Sequence, residues 1–536
     1  MQKSLMPFIL LFLVPALSML AADRQDTCEK WQVLDIPFQL MDSTNRPLEV
    51  VFGATIRHQE GRTMDVPGFY NGDSTWVLRF CPDEEGKWSL ITYSSIPELS
   101  GKSAGIEVIP NTDPEEHGPV TISPGNRRKF IYEDGTPYFL LAFELDWLFA
   151  LDWDNPRDIP RTREIISYVS ESGFNQVIMN VYAYDASWGH RTSIRPEYNF
   201  ARPEVFPFGG NNADPDYSTI NTGFFRHLDR VITHLDEQDI AAHLMIYVWN
   251  KQVNWPPPGS EADNRYFDYV VKRYQAFPNL IWDISKEALA HGRDDMGYIT
   301  ERIQRLRNLD AHGRLLTVHD YSYCREYPGQ VDFISVQDWS PDIYDSTQDV
   351  LQRHTRKPVL NIEHGGYEKT MHSIFNGAYT DPAVCLDRNY RIIFAGGYST
   401  YYWQNSAWYE VVYNISELAP GMRPHLSYYR HLSALFAAYP FHNLAPLHSV
   451  FAPYGLTDHH THYLFYCPGG MVPLQGDIPG LKGKVVRIKW FDPFTGEIHE
   501  AETRHFNRGS LIGINRPEKL TTPFSVVILE VVEEPG

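Results

Sequence analysis

The chain has little cysteine, no surplus of positive charge and no long apolar run beyond its first twenty or so residues. Five cysteines in 536 residues are too few for a disulfide framework. Cys28 and Cys81 are candidates for a single pair, while Cys324, Cys385 and Cys467 read as small buried side chains. No Cys/His spacing fits a zinc site, and no strand end carries a His-x-His pattern, so neither metal nor cofactor is expected. The net charge of −20 argues against nucleic acid as a partner. No later segment is long and apolar enough to anchor the chain in a membrane. There is no internal repeat or low-complexity tract, which removes solenoids and disorder from consideration. The opening "MQKSLMPFILLFLVPALSMLAADRQD" has one lysine, a short apolar core and small residues near Ala21-Ala22. It reads as a signal peptide over residues 1–22, and the expected location is secreted or periplasmic. "DTC" at Cys28 lacks the small residues of a lipoprotein box.

What is present is apolar and aromatic. A hydrophobic fraction of 43% allows large cores, and the length calls for two or three domains. Thirteen Trp and thirty-two Tyr exceed what cores need and suit surfaces that hold flat polar ligands such as sugars. Residues 29–112 alternate apolar and polar in short runs ("STWVLRF", "KWSLITY") between Gly, Asp and Pro turns, which predicts a small β-sandwich of immunoglobulin size. Trp76, Leu78 and Phe80 share one face of their strand, as do Trp88 and Leu90 of theirs.

Over residues 120–440 the pattern becomes strand, helix, strand, helix. Eight near-continuous apolar strand candidates alternate with segments of helical period, such as the stripe Phe224, Leu228, Val231, Ile232 and Leu235. Buried parallel strands under amphipathic helices predict a (β/α)8 barrel, and the first strand lacks the Gly-rich turn of a doubly wound sheet. Residues 441–536 turn β again and predict a second small sandwich. The fold class is therefore α/β, a TIM barrel flanked by two all-β domains.

Barrel chemistry gathers at the C-terminal ends of the strands. Those ends carry carboxylates, amides and aromatics, a census that suits carbohydrate. Glu287 follows "IWDIS" on the fourth strand and Glu363 follows "PVLNI" on the seventh, so barrel geometry would carry both to one cavity. Glycoside hydrolysis needs such a pair: an acid on the leaving oxygen, and a carboxylate on the other face of the sugar. A spacing of about 5–5.5 Å implies retention and a wider one inversion. For either residue alone, a helix N-terminal acid or a rim salt bridge is the competing explanation. Trp403 is a candidate platform under the sugar, with Trp249, Tyr184 and Trp339 as further walls. Asp146, Asp185, His319, Asp338 and His364 are candidate hydroxyl binders, and each aromatic could equally be core. No Ser-His-Asp constellation supports an esterase.

The paired fourth- and seventh-strand glutamates resemble the clan of retaining barrel glycosidases that includes cellulases and β-galactosidases. The sandwich motif "FYNGDSTWVLRFCPDEEGKWSL", the barrel's opening "NRRKFIYEDGTPYFLLAFELDWLF" and the C-terminal "WFDPFTGEI" together resemble the bacterial apiosidase-like glycoside hydrolases, which carry an N-terminal sandwich and a collagen-binding-type C-terminal domain. The resemblance implies that Glu287 is the acid/base and Glu363 the nucleophile of a secreted enzyme acting on a complex polysaccharide or its oligosaccharides. Two positions depart from the clan's pattern. Lys286 stands where the clan has Asn, and "ISVQDW" offers no tyrosine on the sixth strand. A fixed ammonium at 286 could bind a uronate or sulfate, which would make the substrate acidic; alternatively Lys286 points away or pairs with Asp283 or Asp320. The Lys-for-Asn exchange also keeps open a non-catalytic glycan-binding protein on a barrel scaffold. Carbohydrate is the expected partner, and the oligomeric state is left open.

Overall fold

The computed structural model describes residues 24–532 apart from 42–43, 45, 187–194, 293–294, 369–380, 448–453, 470–477, 508–510 and 512–513. The expected signal peptide lies outside the described residues.

Eight parallel strands form the central sheet: β1 Leu141–Glu144, β2 Gln176–Asn180, β3 Ala241–Val248, β4 Leu280–Lys286, β5 Leu316–His319, β6 Ile334–Gln337, β7 Val359–Glu363 and β8 Tyr398–Trp403. They run in the order β5-β4-β3-β2-β1-β8-β7-β6. The barrel is nearly closed, because β5 and β6 meet through side chains where the other pairs share a ladder. Thr317 Oγ1 lies 3.0 Å from Ser335 Oγ and donates to the Phe333 carbonyl at 3.1 Å. All residues of β2, β3 and β4 are buried, which is why these strands read as near-continuous apolar runs.

Helices α1 Pro160–Glu171, α2 Thr222–Asp236, α3 Glu261–Tyr274, α4 Met296–Leu309, α5 Tyr321–Glu326, α6 Ile343–Arg353 and α7 Pro382–Phe394 alternate with the strands, and α8 Ser427–Ala438 follows β8. Their starts follow local chemistry. Asn221 accepts from Phe224 N at α2 and Ser260 from Asp263 N at α3, while Pro160 and Pro382 open α1 and α7. The α2 stripe is buried as its period requires, each Leu or Phe contributing about 1.5–3 kcal/mol.

A polar layer crosses the barrel interior. Gln176 Nε2 lies 3.1 Å from His243 Nδ1, and His243 Nε2 lies 3.1 Å from Asp283 Oδ2. Asp283 Oδ1 accepts from the backbone of Ser285 (3.1 Å) and His319 (2.9 Å), tying the upper turns of β4 and β5 together. A small three-stranded sheet (residues 120–122, 130–132 and 137–138) precedes the barrel, and its Phe130 packs on Phe333 and Tyr398.

The N-terminal unit has a five-stranded and a three-stranded sheet enclosing Trp76, Leu78, Phe80, Trp88 and Leu90, as their alternation implies. Arg79 fixes it to the barrel: its guanidinium donates to Asp35 (2.7 Å), to Asp229 on α2 (3.1 Å) and to the carbonyl of Arg273 on α3 (2.9 Å). The C-terminal unit is a six-stranded antiparallel sheet. One face, with Leu464, Tyr466, Val526 and Ile528, joins the barrel core, and the other buries Phe465, Trp490 and Val527 in a core of its own. The five cysteines are buried thiols that form no disulfide among the described residues. Cys28 and Cys81 do not pair: Cys28 sits in the sandwich core, and Cys81 Sγ lies 3.2 Å from the Trp31 carbonyl. No described helix is long and apolar enough to cross a membrane.

Candidate active site

The strands that carry the two glutamates each gain a residue near their tips. Against β5, Asp283 pairs with Thr317 and Lys286 with His319, so β4 holds one extra residue. Against β6, Val336 pairs with Asn361 and Gln337 with Glu363, so β7 does the same. Such bulges re-aim side chains at a sheet's rim. Immediately past the first one Glu287 adopts φ 56°, a left-handed backbone that costs a non-glycine residue about 1–2 kcal/mol. Strain of that kind concentrates at functional sites.

The result is a cavity of about 450 Å³ at the C-terminal mouth of the barrel. Glu287, Glu363, Lys286, Lys251 and Gln337 supply its polar wall, and Trp249, Trp339, Tyr402 and Trp408 its aromatic one. Glu287 is partly exposed; its Oε2 lies 3.1 Å from His291 Nε2 and its Oε1 accepts from Gln337 at 3.4 Å. Glu363 is buried. Its Oε1 accepts from the Tyr367 hydroxyl, while its Oε2 lies 3.5 Å from Lys286 Nζ and 3.8 Å from His319 Nε2. Burial pushes the Glu363 carboxyl above the usual range; Lys286 opposes that rise, the Glu287 charge adds to it and the Tyr367 hydrogen bond opposes it.

Beneath this pair lies a floor of opposite charges. Lys286 Nζ is 2.5 Å from Glu144 Oε1 and 3.8 Å from Asp146 Oδ1, and Lys251 Nζ is 3.2 Å from Asp146 Oδ2. Burial alone would raise the Asp146 carboxyl, but the two ammonium groups outweigh it and hold Asp146 down at about 2. Burial dominates at Glu144, which is pushed well above the carboxylate range. Burial also works against the Lys286 charge; Asp146, Glu144, Glu363 and Glu287 outweigh it and keep the ammonium well above the ordinary lysine range. His319 is held well below its ordinary value by burial and by Lys286, which leaves its imidazole neutral at pH 7.

Of the sequence-derived candidates, Glu287, Glu363, Lys286, Trp249 and Trp339 line the cavity, with Asp146 and His319 against its charged groups. Lys286 points inward to Glu144, Asp146 and Glu363, and pairs with neither Asp283 nor Asp320. The remaining candidates lie elsewhere. Trp403 is fully buried, because alternation along β8 turns Tyr402 to the cavity and Trp403 away from it. His364 is turned from the cavity in the same way beside Glu363, and its Nε2 donates to the Thr400 carbonyl at 2.8 Å. Asp338 accepts from Ser340 N (2.9 Å) and the Ser346 hydroxyl, a turn-forming role. Asp185 accepts from Arg202 at 3.0 Å, and the backbone N–H groups of Tyr184 and Asp185 donate to the Lys251 carbonyl at 3.1 and 2.8 Å. Those two residues serve the site indirectly, by holding Lys251.

Sequence reasoning missed Tyr367, Lys251, Tyr402, Trp408 and His291. Tyr367 lies four residues after Glu363, in "EHGGYE", on a two-residue strand that pairs with β8 at Tyr402 and Trp403. The next residue pins that strand: Glu368 Oε1 accepts from His425 N (2.9 Å) and Nδ1 (2.7 Å), and its Oε2 from Tyr401 (3.0 Å). A tyrosine sought on the sixth strand is therefore delivered from beyond the seventh. Lys251 follows Asn250 at the tip of β3 and lies 4.7 Å above the Trp408 ring. Among the described residues no cluster of His, Cys, Asp and Glu could hold a metal ion.

A barrel with two glutamates on strand tips across one aromatic-walled cavity is the arrangement of the glycoside hydrolases. The apiosidase-like catalytic-domain model matches residues 124–422, and a domain of unknown function, DUF5060, matches residues 27–95. The chain belongs to the apiosidase-like family and is a glycoside hydrolase. Two solved structures from Bacteroides vulgatus ATCC 8482 share its fold. One, described as a candidate glycoside hydrolase, is 20% identical, covers 95% of this chain and all of its own (100%), and superposes with a TM-score of 0.76. The other, a family 5 glycoside hydrolase, is 16% identical, covers 79% of this chain and 94% of its own, with a TM-score of 0.54. No curated protein matches.

Proposed function

We propose that the enzyme is an exported retaining glycosidase in which Glu287 protonates the leaving oxygen and Glu363 attacks the anomeric carbon. One observation carries the reading: the two carboxyl groups wall the same cavity in opposite settings. Glu287 is partly exposed and held by His291 and Gln337, open to exchange a proton with the leaving group and then with water. Glu363 is buried against Tyr367 and Lys286, both of which favour its ionised form. Attack forms a covalent glycosyl-Glu363 ester as the glycosidic bond breaks and Glu287 gives up its proton. Water, deprotonated by Glu287, then releases the sugar with its configuration retained. Trp249, Trp339 and Trp408 offer apolar faces for sugar rings. Residues 1–22 act as the export signal, and the substrate is a complex polysaccharide or its oligosaccharides. A glycan-panel digest with wild type, Glu287→Gln and Glu363→Gln tests this. Release by wild type with at least a 100-fold loss in both variants supports it; binding without release in all three would replace it with a glycan-binding role.

A further inference from the structure

Lys286 is enclosed by this chain's own carboxylates. Its Nζ is 2.5 Å from Glu144, 3.5 Å from Glu363 and 3.8 Å from Asp146, and the residue is 2% exposed. An ammonium has three protons to give, and three carboxyl groups surround this one. The charge count points the same way. Four carboxyl groups (Glu144, Asp146, Glu287 and Glu363) share the floor and walls with two ammonium groups, Lys251 and Lys286. With Glu144 neutral and Glu287 carrying the proton it donates, Asp146 and Glu363 balance Lys251 and Lys286, and neither ammonium is left over. A uronate or sulfate entering here would find no spare cation and would have to displace an existing ion pair.

A neutral carboxamide at position 286 would leave Glu363 buried next to Glu287 and Asp146 with no cation touching it. The other groups facing Glu363 cannot replace the ammonium: His319 from β5 is neutral at pH 7, and Tyr367 beside β8 and Tyr402 on it are phenols.

We infer that Lys286 is the built-in counter-ion of Glu363, a positioning residue that keeps the nucleophile anionic and closes the cavity floor to an anionic ring, so that the sugar cleaved is neutral. The inference rests on the assignment of Glu363 above, and its test has a readout that needs no substrate. In Lys286→Met the Glu363 side-chain carboxyl, followed by 13C NMR and identified by its loss in Glu363→Gln, titrates about 1–3 pH units higher than in wild type. The acid limb of kcat/KM moves up by the same interval, and Lys286→Arg restores most of it. Lys286→Met/Glu144→Gln, which also makes the partner left behind by Lys286 permanently neutral, gives the same shift if the single variant folds poorly. Aryl glycosides of neutral sugars and of uronic acids complete the test: wild type prefers the neutral set, and Lys286→Met loses rate on it. An unmoved Glu363 titration, or a loss confined to uronides, overturns the inference. Wild type inactive on every glycoside, with the NMR shift intact, would instead count against the glycosidase mechanism.

Discussion

Tyr367 and Glu363 show how the site is built from single side chains. The phenol is buried, stacks edge-on against Tyr402 at 4.3 Å and spends its proton on the carboxylate oxygen that Lys286 does not reach. A hydrogen bond to a charged group contributes about 1.5–3 kcal/mol. Tyr367→Phe should therefore lower kcat by about 10–100-fold with KM nearly unchanged, since in the proposed mechanism the bond orients the attacking Glu363 and does not bind substrate. A change in KM alone in steady-state kinetics would refute that role. Asp146 gives a pH prediction. Its carboxyl is held at about 2, below the ordinary aspartate value near 3.9, so its ion pairs stabilise the fold fully above pH 4 or so and lose that contribution as pH falls toward 2. Thermal melts between pH 5 and 2 should show a steeper fall in Tm for wild type than for Asp146→Asn; parallel curves would contradict the pairing. That Glu287 and Glu363 reach one cavity was legible because each closes an apolar run. Tyr367 was not, since nothing in "EHGGYE" says that the chain doubles back beside β8. Trp403 was misplaced because its neighbour Tyr402 holds the inward phase of the strand, and a run of aromatics hides phase.

At the level of the element, the bulges in β4 and β7 decide where the carboxyl groups point. Eight strands and their helices follow from apolar runs and 3.6-residue stripes, whereas a one-residue bulge leaves no compositional trace. The gap in the ladder between β5 and β6 is likewise invisible in sequence, because Thr317 and Ser335 look like ordinary strand residues. The strained backbone past the β4 bulge makes a separate prediction. At φ 56° a glycine fits where a Cβ is resisted, so Glu287→Gly should be more stable than Glu287→Ala by about 1 kcal/mol, while both lose activity. Chemical denaturation decides it, and an Ala variant at least as stable as Gly would show that the bulge does not store strain.

For the molecule as a whole, the three units are welded more firmly than their separate composition suggests. Arg79 leaves the N-terminal sandwich to meet Asp229 and Arg273 on α2 and α3; its removal leaves Asp229 to the Arg273 guanidinium alone (2.8 and 2.6 Å) and takes the donor from the buried Arg273 carbonyl. Leaving that buried carbonyl without its donor costs about 1–3 kcal/mol. Arg79→Ala should lower Tm in calorimetry, or split one transition into two as the sandwich uncouples; an unchanged single transition would mean that apolar contacts alone hold the units together. The strand and turn grammar announced all three units, but the seam was not legible, because a lone arginine in "WVLRF" gives no hint of partners 150 and 194 residues away.

The proposed mechanism requires Glu363 as the nucleophile, answered across the cavity by Glu287. Azide added to Glu363→Gly, with an activated aryl glycoside that the wild type cleaves, is the most direct measurement. Restored aryl release, with a glycosyl azide of inverted anomeric configuration as product, is the outcome expected when azide fills the space of the missing carboxylate. No rescue, or an azide product formed with retention, would contradict it.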